Sequence, residues 1–343
     1  MAELFVHCGL HKTGTTSIQK SLSSHRERLA GDGLLYPSSG CVSGTGGHHN
    51  IAWELIGDRR RRVEPGGTSE LLAEISNFSG NVIVSTEDFE TILGRVDLLA
   101  AISRLAHQAQ RTLNLIVYLR DQLSYIASLY QTLLNHGLTD EFAAVAHLVL
   151  TQGGLSYREW MFQFDYGHIA RCLTSMADLQ IILRNYNNLA PRRSVIADLS
   201  EIIGIRSPLI DALEPETRWA QREAIGVSLA KFYQSRAIED FLTPPETATL
   251  ADVIARMRGR AGAPGPDLAG AFVDAFVPGN LQLCAQFTLP ADGLNFHALA
   301  GDRNTLHMER VFSNTAVSRI REIATLGNRG GAIEDLIGWF AGT

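Results

Sequence analysis

Phe5-Val6-His7-Cys8-Gly9-Leu10-His11-Lys12-Thr13-Gly14-Thr15-Thr16-Ser17 reads as a short apolar strand, a turn holding two glycines and a lysine, and a run of hydroxyl residues that opens a helix. Gly9 and Gly14 lack a Cβ, so the backbone can curl tightly and approach a ligand closely. From about Thr15 the first helical turn presents unpaired N–H groups at the positive end of the helix dipole, an arrangement suited to anions. Lys12 adds a full positive charge, and Thr13, Thr15, Thr16 and Ser17 add hydroxyl donors that match phosphate-type oxygens. Ile18, Leu22 and Leu29 recur at helical spacing, with Gly31 and Gly33 as the stop. A strand, turn and helix in this order belong at the carboxyl edge of a parallel sheet, where open α/β folds bind ligands.

The nucleotide-triphosphate pattern G-x-x-x-x-G-K-[ST] does not fit this turn: the residue after Gly14 is Thr15, and the lysine stands two positions before Gly14. The run Gly9-Leu10-His11-Lys12-Thr13-Gly14-Thr15-Thr16-Ser17, followed by Gln19, instead resembles the phosphosulfate-binding loop of sulfotransferases that use 3'-phosphoadenosine 5'-phosphosulfate (PAPS), in particular bacterial members carrying K-T-G-T-T.

Working outward, Tyr36-Pro37-Ser38-Ser39-Gly40 and the stretch from Ser43 to Gly47 form a turn-rich loop, and His48-His49-Asn50-Ile51-Ala52 leads into an apolar helix. Arg59 to Arg62 is a run of four arginines before Val63-Glu64-Pro65-Gly66-Gly67, read either as a contact for an anionic acceptor or as a solvated loop. Leu71 to Ile75 predicts a short helix, Asn81 to Ser85 a second strand, and Leu98 to Leu105 a helix. Leu113 to Leu119 is apolar enough to be buried on both faces. Asp121 to about Asn135 follows as a helix with Gly137 as its cap. Leu179 to Leu183 is a fourth strand, and Ser194 to Ile203 a helix stopped by Gly204. Strands alternating with helices imply right-handed crossovers. The expectation is one α/β domain over residues 1–343: a P-loop-like, three-layer core to about residue 204, with a mainly parallel sheet of four or five strands flanked by helices, then a mainly helical portion. In that portion Ile225, Leu229 and Phe232, then Ala316, Ile320 and Ile323, then Ile333, Leu336, Ile337 and Phe340 keep helical spacing, and Met257 to Asp267 is the most linker-like stretch.

At 343 residues and 45% hydrophobic composition the chain can bury a substantial core. A net charge of -6, with no basic tail, gives no general attraction to nucleic acid. Cys8, Cys41, Cys172 and Cys284 are far apart and form no C-x-x-C pair, so reduced thiols are expected. No apolar run approaches membrane-spanning length and no signal-type segment follows Met1, so a soluble, cytoplasmic protein is expected, and Asn77-Phe78-Ser79 reads as an accidental glycosylation match. The eleven histidines include no H-E-x-x-H, and adjacent His48 and His49 do not place two ligands on one helical face, so no metal is expected.

Arg120 directly follows the apolar strand, which puts it at the same sheet edge as Lys12; Ser124 and Ser128 lie one and two turns along the next helix. A guanidinium and a hydroxyl so placed can hold a phosphate. An arginine, seven intervening residues and a serine after a buried strand resemble the 3'-phosphate-binding segment of sulfotransferases. The resemblance also takes in the Tyr36-Pro37 loop with His48, the strand ending in Ser85-Thr86-Glu87, and, more faintly, Asp165-Tyr166 and Ile182-Leu183-Arg184-Asn185-Tyr186. Arg258-Gly259-Arg260-Ala261-Gly262 only loosely echoes the C-terminal phosphate-closing segment of cytosolic members.

That resemblance implies sulfuryl transfer from PAPS to a hydroxyl, or less often an amine, of a saccharide, glycolipid or small metabolite, leaving adenosine 3',5'-bisphosphate. His11 and Lys12 through Ser17 would hold the 5' side, with Arg120 and Ser128 on the 3'-phosphate. Lys12 and the Gly14 to Thr16 amides would neutralise the leaving oxygen. The acceptor needs a base. Glu87, at the end of the second strand, and His48, in the loop before a helix, are the two candidates, while His7 lies inside its strand and reads as packed. Two other classes are a nucleotide kinase or NTPase with an altered P-loop, in which Asp88 would hold Mg²⁺, and a nucleotide-binding protein without catalysis.

Overall fold

The computed structural model describes residues 2–177, 179–189, 194–205 and 268–287, with single positions at 232, 289, 313 and 315–318. The helical spacings around Ile225, Ile320 and Ile333, the Met257 to Asp267 stretch and Arg258 to Arg260 lie outside the described residues.

In chain order the elements are β1 (Glu3–Gly9), α1 (Thr15–Ser24), α2 (Arg26–Gly31), β2 (Leu34–Leu35), α3 (His49–Ile56), α4 (Thr68–Ser76), β3 (Asn81–Ser85), a 3-10 turn (Glu87–Phe89), α5 (Glu90–Leu93), α6 (Val96–Gln108), β4 (Thr112–Leu119), α7 (Gln122–Asn135), α8 (Phe142–Gln152), β5 (Gly154–Tyr157), β6 (Trp160–Gln163), α9 (Tyr166–Thr174), β7 (Gln180–Asn185), α10 (Tyr186–Leu189), α11 (Val195–Ile202) and α12 (Leu268–Phe287). Five strands form one parallel sheet in the order β2-β3-β1-β4-β7, and β5 with β6 forms a separate antiparallel hairpin. The sheet is flanked by helices, as in a three-layer P-loop-like fold, and among the described residues beyond Gly204 the one long element is helical. The first helix of the sequence reading is two: it breaks at His25, where α1 ends and α2 starts. The hairpin strands are only four residues each and α8 is weakly amphipathic; these elements, and α9, are additions to those the sequence predicts.

Two compact units divide the chain. One contains residues 1–121, 154–216 and 276–295; the other contains 122–153, 217–275 and 296–343. In the first unit, alternate residues of each strand point to opposite sheet faces. Phe5, Ile83, Ile116 and Tyr118 pack with Ile18 and Leu22 of α1, Leu29 of α2 and Val195, Ile196 and Leu199 of α11. The strand residues between them, Leu4, Val6, Val82, Leu115 and Val117, are buried on the other face, where α6 lies against β4. Asp198 of α11 accepts the Tyr118 hydroxyl at 2.8 Å and pairs with Arg184 of β7 at 3.3 Å, tying helix to sheet. In the second unit, α7 and α8 pack together, with the Tyr130 hydroxyl donating to the Asp140 carbonyl at 2.7 Å and its ring edge-on to Phe142.

The chain leaves β1 for the β2-β3 side and then crosses to β4, so β1 is where strand order reverses. The loop after such a strand opens at the carboxyl edge into the crevice where α/β folds bind ligands.

Candidate functional site

Residues 10–14 form a closed turn between β1 and α1. Leu10 N–H donates to the Tyr118 carbonyl at 3.3 Å, continuing the β1–β4 ladder one residue past the strand. The fully buried Thr13 hydroxyl donates to the Leu10 carbonyl at 2.6 Å, so this side chain closes the turn. Lys12 adopts φ 68 and Gly14 φ 82, two left-handed residues that reverse the chain in a short span. Gly14 is the N-cap of α1, and with no side chain capping it and no acidic residue in the first turn, the N-terminal amides of α1 face the loop.

Gly9 and Thr15 shape the inside of this turn. A Cβ on Gly9 would lie 2.5 Å from the Thr15 hydroxyl and 2.9 Å from that of Thr13. Thr15 Oγ1 is buried and has no hydrogen-bond partner. A buried, unspent hydroxyl in a cradle that any side chain at position 9 would fill is the local chemistry an oxyanion ligand requires. Thr16 is exposed and Ser17 half-buried on the same turn of α1.

Lys12 reaches solvent, but protein crowds its stem. That desolvation, and next the charge of Arg120, lower its pKa, with Glu87 opposing. Arg120, the first residue past β4, donates from Nη1 to the Lys12 carbonyl at 2.9 Å and lies over the Tyr186 ring. The Tyr166 hydroxyl donates to the Arg120 carbonyl. Lys12, Arg120 and the α1 terminus therefore share one edge of the sheet in the first unit. Ser128 is half-buried on α7, in the second unit.

His11 anchors the loop from outside. Its backbone N–H and its Nδ1 both reach Glu90 Oε2, at 3.0 and 2.8 Å, while Glu90 Oε1 accepts the Gln163 N–H at 2.6 Å, and the His11 ring meets Phe162 edge-on. Burial opposes its charge, but the Glu90 hydrogen bond and the nearby carboxylates outweigh that and raise its pKa. His7 is buried and neutral, its pKa lowered by burial to about 3, with Nδ1 on the Ser85 hydroxyl at 2.7 Å.

The two candidate bases differ sharply. His48 is completely buried; its Nε2–H donates to the Pro37 carbonyl at 3.0 Å and its Nδ1 accepts the Ser85 N–H at 3.1 Å, while its own N–H donates to the Ser85 carbonyl at 2.9 Å. Because β2 is only two residues long, it leaves the end of β3 unpaired, and His48 continues the ladder there. Both ring nitrogens are spent and burial lowers its pKa to about 4, so it offers no lone pair to a substrate. Glu87 is half-buried at the start of the 3-10 turn, and its Oε2 accepts the Gln19 amide at 2.6 Å.

His49, beside His48, went unselected by sequence reasoning. Its Nδ1 lies 2.7 Å from Asp88 Oδ2 and 2.8 Å from the Thr86 hydroxyl, while Nε2 is buried with no partner. Asp88 also accepts the Trp53 indole N–H at 2.9 Å and pairs with Arg60 at 3.5 Å. The only sequence signal was the pair of adjacent histidines, which on a helix N-terminus point in different directions. The arginine run is largely engaged: Arg59 pairs with Glu159, Arg61 with Glu54 at 2.9 Å, and Arg60 binds Asp58 while lying between the rings of Trp53 and Trp160.

A cavity of about 540 Å³ lies elsewhere, at the amino ends of β2 and β3, lined by Leu29, Leu34, Asn81 and Ile205; it touches none of these groups. Among the described residues no cluster of three potential metal ligands occurs and no helix is long and apolar enough to cross a membrane. Fold and site together define an α/β protein with a lysine-bearing, glycine-lined anion loop at the reversal point of its sheet. Compared with protein-family models, curated proteins and solved structures, the chain gives no match.

Proposed function

We propose that this chain is a sulfotransferase that takes its sulfuryl group from PAPS and passes it to a hydroxyl, or less often an amine, of a saccharide, glycolipid or small metabolite. The observation that carries the reading is the cradle itself: Gly9 leaves room, Thr15 Oγ1 is buried and unspent, the α1 terminus is uncapped, and Lys12 belongs to the same turn. When bound, PAPS supplies an activated sulfuryl group and a bisphosphate leaving group. Thr15, the amides of Gly14 to Thr16, Thr16 and Ser17 hold its 5' phosphate side, and Arg120 takes the 3'-phosphate. Lys12 neutralises charge that grows on the departing oxygen, which favours the transition state over the ground state. Burial, and next the charge of Arg120, lower its pKa, which makes it a better proton partner.

Glu87 is the base in this reading, because it is accessible and its carboxylate is oriented by Gln19, whereas both nitrogens of His48 are committed to backbone. Asp88, the residue a Mg²⁺-dependent kinase would use, is already shared by His49, Trp53 and Arg60, which disfavours that alternative. Calorimetry with adenosine 3',5'-bisphosphate against ATP and Mg²⁺ tests the assignment. Tight binding of the bisphosphate is expected, and preference for ATP overturns it; mass gain of a sulfuryl group on screened acceptors then separates an enzyme from a binding protein.

A further inference from the structure

Gly47 leaves a space that two side chains share. A Cβ there would lie 2.7 Å from Nε2 of His49 and 2.7 Å from Oε1 of Gln19. The other end of the Gln19 amide donates to Glu87 at 2.6 Å, and the other nitrogen of His49 is held by Asp88 at 2.7 Å. Asp88, His49, Gln19 and Glu87 therefore stand in series, and the one link not made is between His49 Nε2, buried and without a partner, and the Gln19 carbonyl.

We propose that His49 is a positioning residue for Glu87, whose protonated ring closes this link by donating Nε2–H to Gln19 Oε1. An amide has one accepting end and one donating end. With Nδ1–H given to Asp88, a neutral ring offers only a lone pair at Nε2, which faces the lone pairs of Oε1. Turning the amide over would satisfy the ring but set Oε1 against the Glu87 carboxylate. The other neutral tautomer could give Nε2–H to Gln19 and take the Thr86 hydroxyl at Nδ1, but it would set a lone pair against Asp88 at 2.7 Å. With Nδ1–H kept on Asp88, the protonated ring satisfies both ends of Gln19, and a buried network complete at every link is stiffer than one with an open link. The ring takes its proton from solvent and no covalent bond changes.

The surroundings favour that proton. Burial opposes it, and so does His11 from the loop after β1; the Asp88 hydrogen bond and the charges of Glu87 and Asp88 outweigh them and raise the His49 pKa. Arg60, paired with Asp58, reaches the same network through the far oxygen of Asp88. Glu87 is thus held by a closed network below the His49 midpoint and by Gln19 alone above it. The link stands on geometry alone; only the use made of Glu87 rests on the sulfotransferase reading.

Nuclear magnetic resonance of the unliganded full chain tests the link without any donor or acceptor. The His49 ring nitrogens and the Gln19 side-chain amide should titrate with one shared midpoint above the usual histidine value, and Gln19→Leu, similar in volume, should lower the His49 midpoint. A Gln19 amide that ignores the His49 titration overturns the proposal even if the variant does not fold, and so does an unmoved midpoint in Gln19→Leu. If sulfuryl transfer is established, its kcat should fall along the His49 titration, with Gln19→Leu lowering kcat by about tenfold and leaving the donor KM unchanged. A shared midpoint in a chain that binds no bisphosphate would overturn the assigned function and leave the link standing.

Discussion

At the scale of single residues, Lys12 and His48 make opposite predictions. Lys12 already occupies the left-handed region, at φ 68, and alanine there carries the same backbone cost. Lys12→Ala should therefore leave the melting temperature unchanged while lowering sulfuryl transfer by about 10²–10³-fold, the scale of losing one charge-stabilising group. Single-turnover transfer beside a thermal melt measures both; transfer at the wild-type rate removes Lys12 from the mechanism. His48→Ala should do the reverse. It strands the Pro37 carbonyl and the Ser85 N–H inside the protein, which costs about 2–6 kcal/mol at about 1–3 for each orphaned group. Glu87→Gln, in contrast, should fold as well as wild type and transfer poorly; denaturant unfolding and transfer rates on the two variants, read together, distinguish a base from a structural histidine. Full activity in Glu87→Gln would end its assignment.

At the scale of elements, the β1–α1 unit depends on two glycines for different reasons. Gly14 caps α1 at φ 82, and a Cβ there would meet Val195 Cγ1 of α11 at 2.9 Å. Gly14→Ala thus combines left-handed strain with a core clash, and it should destabilise the chain by about 2 kcal/mol or more, visible as a lower melting temperature. No such backbone strain applies at Gly9. Its added methyl would instead occupy the cradle, 2.5 Å from Thr15 Oγ1, and must displace that side chain. Gly9→Ala should cut adenosine 3',5'-bisphosphate affinity at least tenfold in calorimetry; an unchanged affinity would place the ligand outside the turn. The arginine run is also an element-scale feature. Arg60 is covered, bound to Asp58 and stacked on two tryptophans, whereas Arg59 and Arg61 pair with Glu159 and Glu54 from exposed positions and Arg62 is exposed as well.

Across the whole molecule, buried histidines set the dependence of stability on pH. His7 and His48 stay neutral in the folded chain, with pKa values near 3 and 4 against 6.5 when unfolded. Below about pH 6.5 the unfolded chain binds these protons and the folded chain does not, so stability declines as pH falls toward about 4, by about 1.4 kcal/mol per pH unit for each histidine. His11 and His49 act in the other direction: their folded pKa values are raised, so their contribution is complete below the unfolded value and lost as pH rises through the folded one. Asp88, with its pKa lowered in the fold, adds a contribution lost only at more acid pH. Melting temperature measured against pH should peak near 6.5 and fall on both sides; a plateau from pH 4 to 8 would contradict this balance.

By itself the sequence determined the elements whose signals are local. Four of the five strands of the parallel sheet are legible as apolar runs, the anion-binding turn announces itself through Gly9, Lys12 and Gly14, and Arg120 follows from its place after β4. The missing fifth, β2, is two residues long and exists only because β3 offers an edge. Which histidine has a nitrogen to spare was decided in three dimensions: position 48 finds the end of β3 and position 49 finds Asp88, 39 residues away in sequence. The same holds for Thr13, whose hydroxyl closes the turn, and for Thr15, whose hydroxyl is left over inside it. Residue type and spacing fix what chemistry a side chain can perform, but long-range packing alone allocates its hydrogen-bonding capacity between the fold and a ligand.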